Sequence, residues 1–200
     1  MRKGLNLIQW CPGCGDFIIL GAIRKALQEL GIPKQDVVIV SGVGCSGKIS
    51  QYIDGYAAET LHGRAIPFAL GVKFANPKLK VICIGGDGDG YGIGLGHFLH
   101  ACRRNNPIIY LVLDNENYAL TTGQASATTP LSIKTRTTLL GNKTPPFNPV
   151  ELAKTAGCQF SRGTTDTNLT ELKEVIKEAI MCEGFAHVNI KQACPSWKKW

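Results

Sequence analysis

Lys80–Gln124 reads KVICIGGDGDGYGIGLGHFLHACRRNNPIIYLVLDNENYALTTGQ, and this stretch decides the fold. An apolar, strand-like run from Val81 to Ile84 opens into Gly85-Gly86-Asp87-Gly88-Asp89-Gly90, and a helical segment follows. A second apolar run, Ile108 to Leu113, ends at Asp114-Asn115-Glu116-Asn117. Asn115 lies 28 positions after Asp87, about the length of one strand-helix-strand crossover. Such a crossover sets the ends of two neighbouring parallel strands side by side. Acidic and amide oxygens are thereby delivered to one place.

That geometry suits a magnesium ion holding a diphosphate. Glycines at Gly86, Gly88 and Gly90 let the backbone approach phosphate oxygens, and the following helix N-terminus offers free N–H groups and a positive dipole end. Magnesium takes a carboxylate, a second oxygen ligand and phosphate oxygens, the parts Asp87 and Asn115 can play. The competing reading is an ordinary glycine-rich turn, which glycine clusters often mark. The second anchor at crossover distance favours the metal-held ligand.

Outward from this unit, strand and helix patterns alternate. Asp16 is placed to cap a helix over FIILGAIRKALQEL that ends at Gly31 and Pro33. Asp36–Ser41 (DVVIVS) is a predicted buried strand, AIPFALGVKFA a helix, and Thr121–Asn148 a long Thr-, Pro- and Gly-rich loop over the ligand. Pro149–Ala156 is predicted helical, Cys158–Ser161 a short strand, Asn168–Met181 an amphipathic helix and Phe185–Ile190 a final strand. The alternation predicts an α/β fold with a doubly wound, mainly parallel sheet, and residues 1–200 as a single domain. In such folds ligands collect beyond the carboxyl ends of the strands, where each glycine-rich turn falls.

With 200 residues, 44% of them hydrophobic, the chain can bury a substantial core. No apolar run approaches the roughly 20 residues of a membrane span, and MRKGLNLIQW lacks the apolar centre of a signal peptide. A cytoplasmic protein without membrane contact is expected. The net charge of +7 is scattered, with only short clusters, as at Arg103-Arg104 and Lys198-Lys199. No basic stripe supports nucleic-acid binding, so the charge is read as a surface for acidic partners such as ferredoxins.

Eight cysteines in a chain with no secretion signal point to metal binding, catalysis or burial before disulfides. Cys11 and Cys14 form a CxxC in the turn Trp10-Cys11-Pro12-Gly13-Cys14-Gly15, Cys45 follows a predicted strand, and Cys194 follows the last one. Two thiolates in a CxxC and two from distant loops can complete a four-ligand site for an iron–sulfur cluster or a zinc ion; a redox dithiol is a further reading. Cys83, Cys102, Cys158 and Cys182 match no such pattern and are read as buried small residues. Gly42–Lys48 (GVGCSGK) imitates half of a P-loop, but Ile49 stands where a hydroxyl ligand for magnesium is needed.

Taken together, GGDGDGYGIGLGHFLHACRRN, DNENYALTTGQASATTP, WCPGCG, GVGCS, LHGRA and QACP resemble the β subunit of 2-oxoacid:ferredoxin oxidoreductases from Trp10 to Pro195. The resemblance implies a thiamine diphosphate-binding fold of the phosphate-domain type. Asp87, Asn115 and the Asn117 carbonyl would ligate Mg²⁺, with Asp89, Ser46 and His62 also at the cofactor. A [4Fe–4S] cluster would be held by Cys11, Cys14, Cys45 and Cys194.

The implied reaction is CoA-dependent oxidative decarboxylation of a small 2-oxo acid, with electrons leaving to ferredoxin. Lys48, His62 and Thr121 are the implied catalytic candidates; a solvated lysine and a helix-capping histidine are the competing readings for the first two. Arg64 would pair a carboxylate or hold its loop, and Thr121–Gln124 would cover the thiazolium ring, with Thr122 in place of the residue usual there. Lys48 and GQAS lean toward 2-oxoglutarate or a broad range over pyruvate. A zinc-stabilised module and a cluster-free thiamine enzyme are the alternatives. The glutamate that polarises the aminopyrimidine has no counterpart here, so a separate α subunit is expected to supply it. Family members also commonly continue beyond the CP motif, whereas this chain ends at Trp200.

Overall fold

The structure, a computed structural model, describes residues 8–200; the expectation for the N-terminal segment lies in part outside them. Six parallel strands form one sheet: β1 (Val37–Ser41), β2 (Tyr56–Glu59), β3 (Lys80–Gly86), β4 (Ile109–Asp114), β7 (Phe160–Thr165) and β8 (Ala186–Lys191), in the order β2-β1-β3-β4-β8-β7. From β1 the chain first moves to the edge at β2 and then returns to the other side of β1 at β3. The loops leaving β1 and β3 therefore part company, which opens a crevice at the carboxyl ends of the strands.

The central strands are apolar on both faces because both faces are covered. Ile82 and Ile84 of β3 pack with Ile39, Leu111 and Val188 against α1 (Asp16–Glu29) and α6 (Leu169–Met181). Val81 and Cys83 face the opposite layer, formed by α3 (Ala65–Ala75), α4 (Leu95–Arg104) and α5 (Pro149–Thr155). In α6 the buried residues Leu172, Val175, Ile176, Ala179 and Ile180 follow helical spacing, and Asn168 caps it by accepting from Glu171 N at 3.2 Å. α4 stops at Asn105, which adopts φ +51° and whose Oδ1 accepts from Phe185 N at 2.9 Å. No helix among the described residues is long and apolar enough to cross a membrane.

The expected α/β architecture is the one found, with local differences. Asp16 is not a cap: Gly15 holds that position, and the Asp16 carboxylate is buried beside Cys14, whose thiol donates to Oδ2 at 3.3 Å. β7 starts at Phe160 and runs on to Thr165, since Cys158 still belongs to the turn after α5. The exposed edge strand β2 and the short helix α2 (Ile49–Tyr52) occupy a segment with no periodicity. Within the long loop, β5 (Asn117–Tyr118) and β6 (Gln124–Ala125) make a two-residue antiparallel ladder. The helical segment after Asp87 begins as a wide π turn over Gly88–Ile93 before α4.

Glycine is required at Gly94, where that turn joins α4. A methyl group there would lie 2.6 Å from the Asp89 carbonyl oxygen and 3.1 Å from that of Gly90, both backbone atoms that cannot swing aside. At Gly96, exposed within α4, it would meet nothing. Gly94→Ala is therefore expected to destabilise the fold by about 1–3 kcal/mol in urea melts, whereas Gly96→Ala leaves stability unchanged or raises it by up to ~1 kcal/mol. Equal melts for the two variants contradict this packing.

Candidate cofactor and thiol sites

Four loops meet at the crevice and enclose a cleft of about 160 Å³. The loop after β1 contributes Val43–Ser46, the segment after β2 His62, the turn after β3 Gly86–Asp89, and the segment after β4 Asn115 and Asn117–Thr121. Of the residues expected at a cofactor, Cys45, Ser46, His62, Gly86, Asp87, Gly88, Asp89, Asn115, Asn117 and Thr121 all line it. Lys48, Arg64 and Gly90 do not. Lys48 Nζ donates to the Gln9 carbonyl at 3.1 Å, and exposed Arg64 contacts the Gly63 carbonyl at 3.3 Å. Val43, Tyr118 and Leu120 also line the cleft; they lie inside the quoted motifs but are not among the expected site residues.

The glycines have distinct jobs. Gly86 faces the cleft, where an added methyl would lie 3.3 Å from Ser46 Oγ. Gly88 instead makes room for the Tyr118 ring, and Gly90 for Tyr110. Gly86 and Gly88 thus lie at the cleft, Gly88 against the Tyr118 ring that also lines it, while Gly90 admits the buried Tyr110 ring behind the turn.

The acidic residues also divide. Asp89 Oδ1 accepts from His62 Nδ1 (2.7 Å), Gly63 N (2.8 Å) and Val43 N (3.3 Å), while Oδ2 is packed beside Gly42 and Gly85. Its carboxylate joins three cleft segments and fixes the imidazole of His62. Asp87 is 1% exposed, and its Oδ2 accepts from Thr128 Oγ1 at 3.2 Å. Burial, followed by the negative charge of Asp114, holds the Asp87 carboxyl well above the usual carboxylate range, against opposing bonds from Ser126 and Thr128. A cation beside it would relieve both effects. Asn115 Oδ1 accepts from Asn117 N at 3.1 Å, and the Asn117 carbonyl accepts from Ala119 N at 3.1 Å. Asn117 Oδ1 and Ser46 Oγ are buried without a protein partner. A carboxylate strained by burial and unpartnered oxygens are the donor set a magnesium-bound diphosphate requires. At Asn117 the side-chain oxygen, rather than the carbonyl, is the uncommitted one.

Behind the β1 loop, hydrogen bonds join the three segments that carry the expected thiols. Cys14 N donates to Cys11 O at 3.0 Å, closing the CPGC turn, and Gly15 N donates to Ala193 O at 3.1 Å, joining that turn to the Cys194 loop. Trp10 Nε1 donates to Cys45 O at 2.8 Å, bringing in the third segment. Desolvation, followed by the charge of Asp16, pushes the Cys45 thiol up to about 11, with smaller effects from Lys48, Cys194 and Cys11. The same two leading causes raise Cys14 further. The protein alone therefore stabilises protonated thiols here, and a strongly cationic centre would be needed to hold them as thiolates. Among the described residues no three His, Cys, Asp or Glu side chains are close enough to grip a single metal ion. Cys83, Cys102 and Cys158 are buried in the core as expected, while Cys182 is half-buried.

Residues 36–190 match the family model described as thiamine pyrophosphate enzyme, C-terminal TPP binding domain. The chain is 47% identical over 190 residues to the 2-oxoacid:ferredoxin oxidoreductase subunit beta of Saccharolobus solfataricus, covering 94% of this chain and 62% of the relative. It is 40% identical over 190 residues to the 2-oxoglutarate synthase subunit KorB of Archaeoglobus fulgidus, covering 95% and 71%. Among solved structures, 2-oxoglutarate:ferredoxin oxidoreductase from Magnetococcus marinus, with 2-oxoglutarate, coenzyme A and succinyl-CoA bound, superposes with TM-score 0.96 at 40% identity over 98% of this chain and 68% of that one. A thiamine diphosphate-dependent 4-hydroxybenzoylformate decarboxylase from Rhodococcus jostii shares the fold at TM-score 0.57 and 20% identity, over 85% of this chain and 32% of that one. The chain spans a little over three-fifths of the length of the first curated relatives it matches. By its cleft, its fold and these relatives, the chain belongs to the β subunits of the 2-oxoacid:ferredoxin oxidoreductases.

Proposed function

We propose that residues 1–200 form one domain that binds thiamine diphosphate with Mg²⁺ beside a [4Fe–4S] cluster, in a cytoplasmic enzyme that converts a 2-oxo acid and coenzyme A to an acyl-CoA, carbon dioxide, a proton and two electrons for ferredoxin. The observation that carries this reading is Cys45, which lines the cofactor cleft while its carbonyl accepts from Trp10 Nε1 at 2.8 Å, directly before the Cys11–Cys14 turn. A thiamine pocket and an electron exit with a common wall are what one-electron transfer from a substrate-derived carbanion equivalent needs.

Thiamine diphosphate, when bound, supplies a carbon nucleophile and an electron sink. The residues of this chain hold and orient it. Asp87, Asn115 and Asn117 would take the metal, and Gly86 and Ser46 would face the diphosphate. His62, fixed through Nδ1 by Asp89, presents the rest of its ring to the cleft. Thr121 donates to Gln124 Oε1 at 2.7 Å and holds the rim of the cleft closed on itself. Cys11, Cys14, Cys45 and Cys194 would hold the cluster, with the charge of Lys48 favouring the Cys45 thiolate. Nothing in the cleft supplies a glutamate for the aminopyrimidine among the described residues, so an α subunit has to close the site. The names of the relatives, several of them 2-oxoglutarate enzymes, favour 2-oxoglutarate or a broad 2-oxo acid range.

In the complex assembled with its α partner, thiamine diphosphate is expected to bind stoichiometrically in the presence of Mg²⁺, and Asp87→Ala to lose that binding in calorimetric titration. Retained affinity in the variant contradicts the metal assignment. Assays with 2-oxoglutarate, pyruvate and longer 2-oxo acids, with coenzyme A and ferredoxin, are expected to give acyl-CoA only when both subunits are present. Turnover by this chain alone contradicts the shared-site reading.

A further inference from the structure

A chain of buried hydrogen bonds runs from Asp87 into the core, away from the cleft. Thr128 Oγ1 stands 3.2 Å from Asp87 Oδ2 and 2.7 Å from Asp114 Oδ1. Asn189 Nδ2 donates to Asp114 Oδ2 at 3.0 Å, and Tyr91 Oη donates to Asn189 Oδ1 at 2.7 Å. Tyr91 Oη also meets His187 Nε2 at 2.8 Å, and His187 Nδ1 meets Ser161 Oγ at 2.8 Å. Since the tyrosine proton goes to Asn189, His187 must donate through Nε2 and accept from Ser161 through Nδ1. Every donor in the series then points toward the Asp114 carboxylate. Asp114, Thr128 and Asn189 are each at most 4% exposed, and none lines the cleft.

Asp114 is the last residue of β4, directly before Asn115, and its Oδ1 also accepts from Glu116 N at 3.2 Å. Asp114 thus holds the backbone of the Asn115–Asn117 segment, and its short bond fixes the Thr128 hydroxyl, which stands between it and Asp87 and shares its single proton unequally between the two carboxyl groups. We propose that Asp114, Thr128 and Asn189 are positioning residues that fix the relative placement of Asp87 and Asn115, and that they set the affinity of the site for magnesium-bound diphosphate. This rests on the cofactor reading above. Groups one step behind metal ligands hold those ligands in their binding rotamer, and losing them typically weakens metal binding by about 10- to 100-fold.

Thr128→Val keeps the shape of the side chain and removes the hydroxyl, and Thr128→Ser keeps the hydroxyl. The readouts are the Mg²⁺ concentration that half-saturates thiamine diphosphate binding in the assembled complex and the melting temperature without cofactor. Thr128→Val is expected to raise the Mg²⁺ requirement ~10-fold or more and to lower the melting temperature through the lost bond to Asp114, and Thr128→Ser to restore both. Tyr91→Phe, which releases Asn189 from outside the cleft, is expected to raise the requirement in the same direction. Wild-type Mg²⁺ requirements in Thr128→Val and Tyr91→Phe overturn the inference, as does a loss in Thr128→Val that Thr128→Ser fails to rescue. Absence of Mg²⁺-dependent binding in the unsubstituted complex overturns the cofactor reading as well, so the two failures are distinct.

Discussion

The carboxyl group of Asp114, fully buried at the end of β4, is the constraint around which the carboxyl-end loops are arranged. A buried polar group is costly unless its hydrogen-bonding atoms are satisfied. Here Thr128 comes from the long loop, Asn189 and Lys191 from β8, and Glu116 N from the next turn. Those four partners draw the long loop down onto the sheet and lock the register of β8 against β4. The adjoining Glu116 takes φ +63° and sits among Lys191, Lys198 and Trp200. Burial opposes its ionisation, yet the lysine bonds prevail and hold its carboxyl below the usual range. The segment after Cys194 is thereby clipped to the same turn that carries Asn115 and Asn117.

The cleft and the thiol group consequently share a frame. One wall of the cleft is the β1 loop, and the same loop carries Cys45 to the thiols. Another wall is the β4 turn, which Glu116 ties to the residues following Cys194. Trp197 of that segment lies against Gly123, where an added methyl would come within 2.6 Å of its ring, and the Arg136 guanidinium stands 5.7 Å over it. A displacement on the thiol side would pass to the cleft rim through this packing and through the Glu116 ion pairs.

Much of this was legible in the sequence, for a physical reason. Asp87, Asn115 and the glycines are readable because a crossover fixes strand-end spacing and because close backbone approach tolerates few residue types. The cysteines are readable because thiol chemistry is rare enough that CxxC and two isolated partners stand out. Thr128, Asn189 and Tyr91 carry no such mark: a threonine or asparagine has many uses, and its partner here lies 14 or 75 positions away. Asp89 shows the converse limit. Its place in the GDGDG run suggests a ligand contact, but which way a carboxylate turns depends on donors from other loops, in this case His62, Gly63 and Val43. Edge strand β2 was hidden because four exposed or half-buried residues leave no alternation to detect.

In the proposed function a magnesium-held diphosphate and an iron–sulfur cluster occupy adjoining sites separated by Cys45. Anomalous diffraction at the iron edge, from anaerobically grown crystals of the assembled complex with thiamine diphosphate and Mg²⁺, tests it directly. Iron peaks are expected among Cys11, Cys14, Cys45 and Cys194, with diphosphate density beside Asp87 and Asn115. A zinc-edge signal at the cysteines, or diphosphate density away from Asp87, would contradict it.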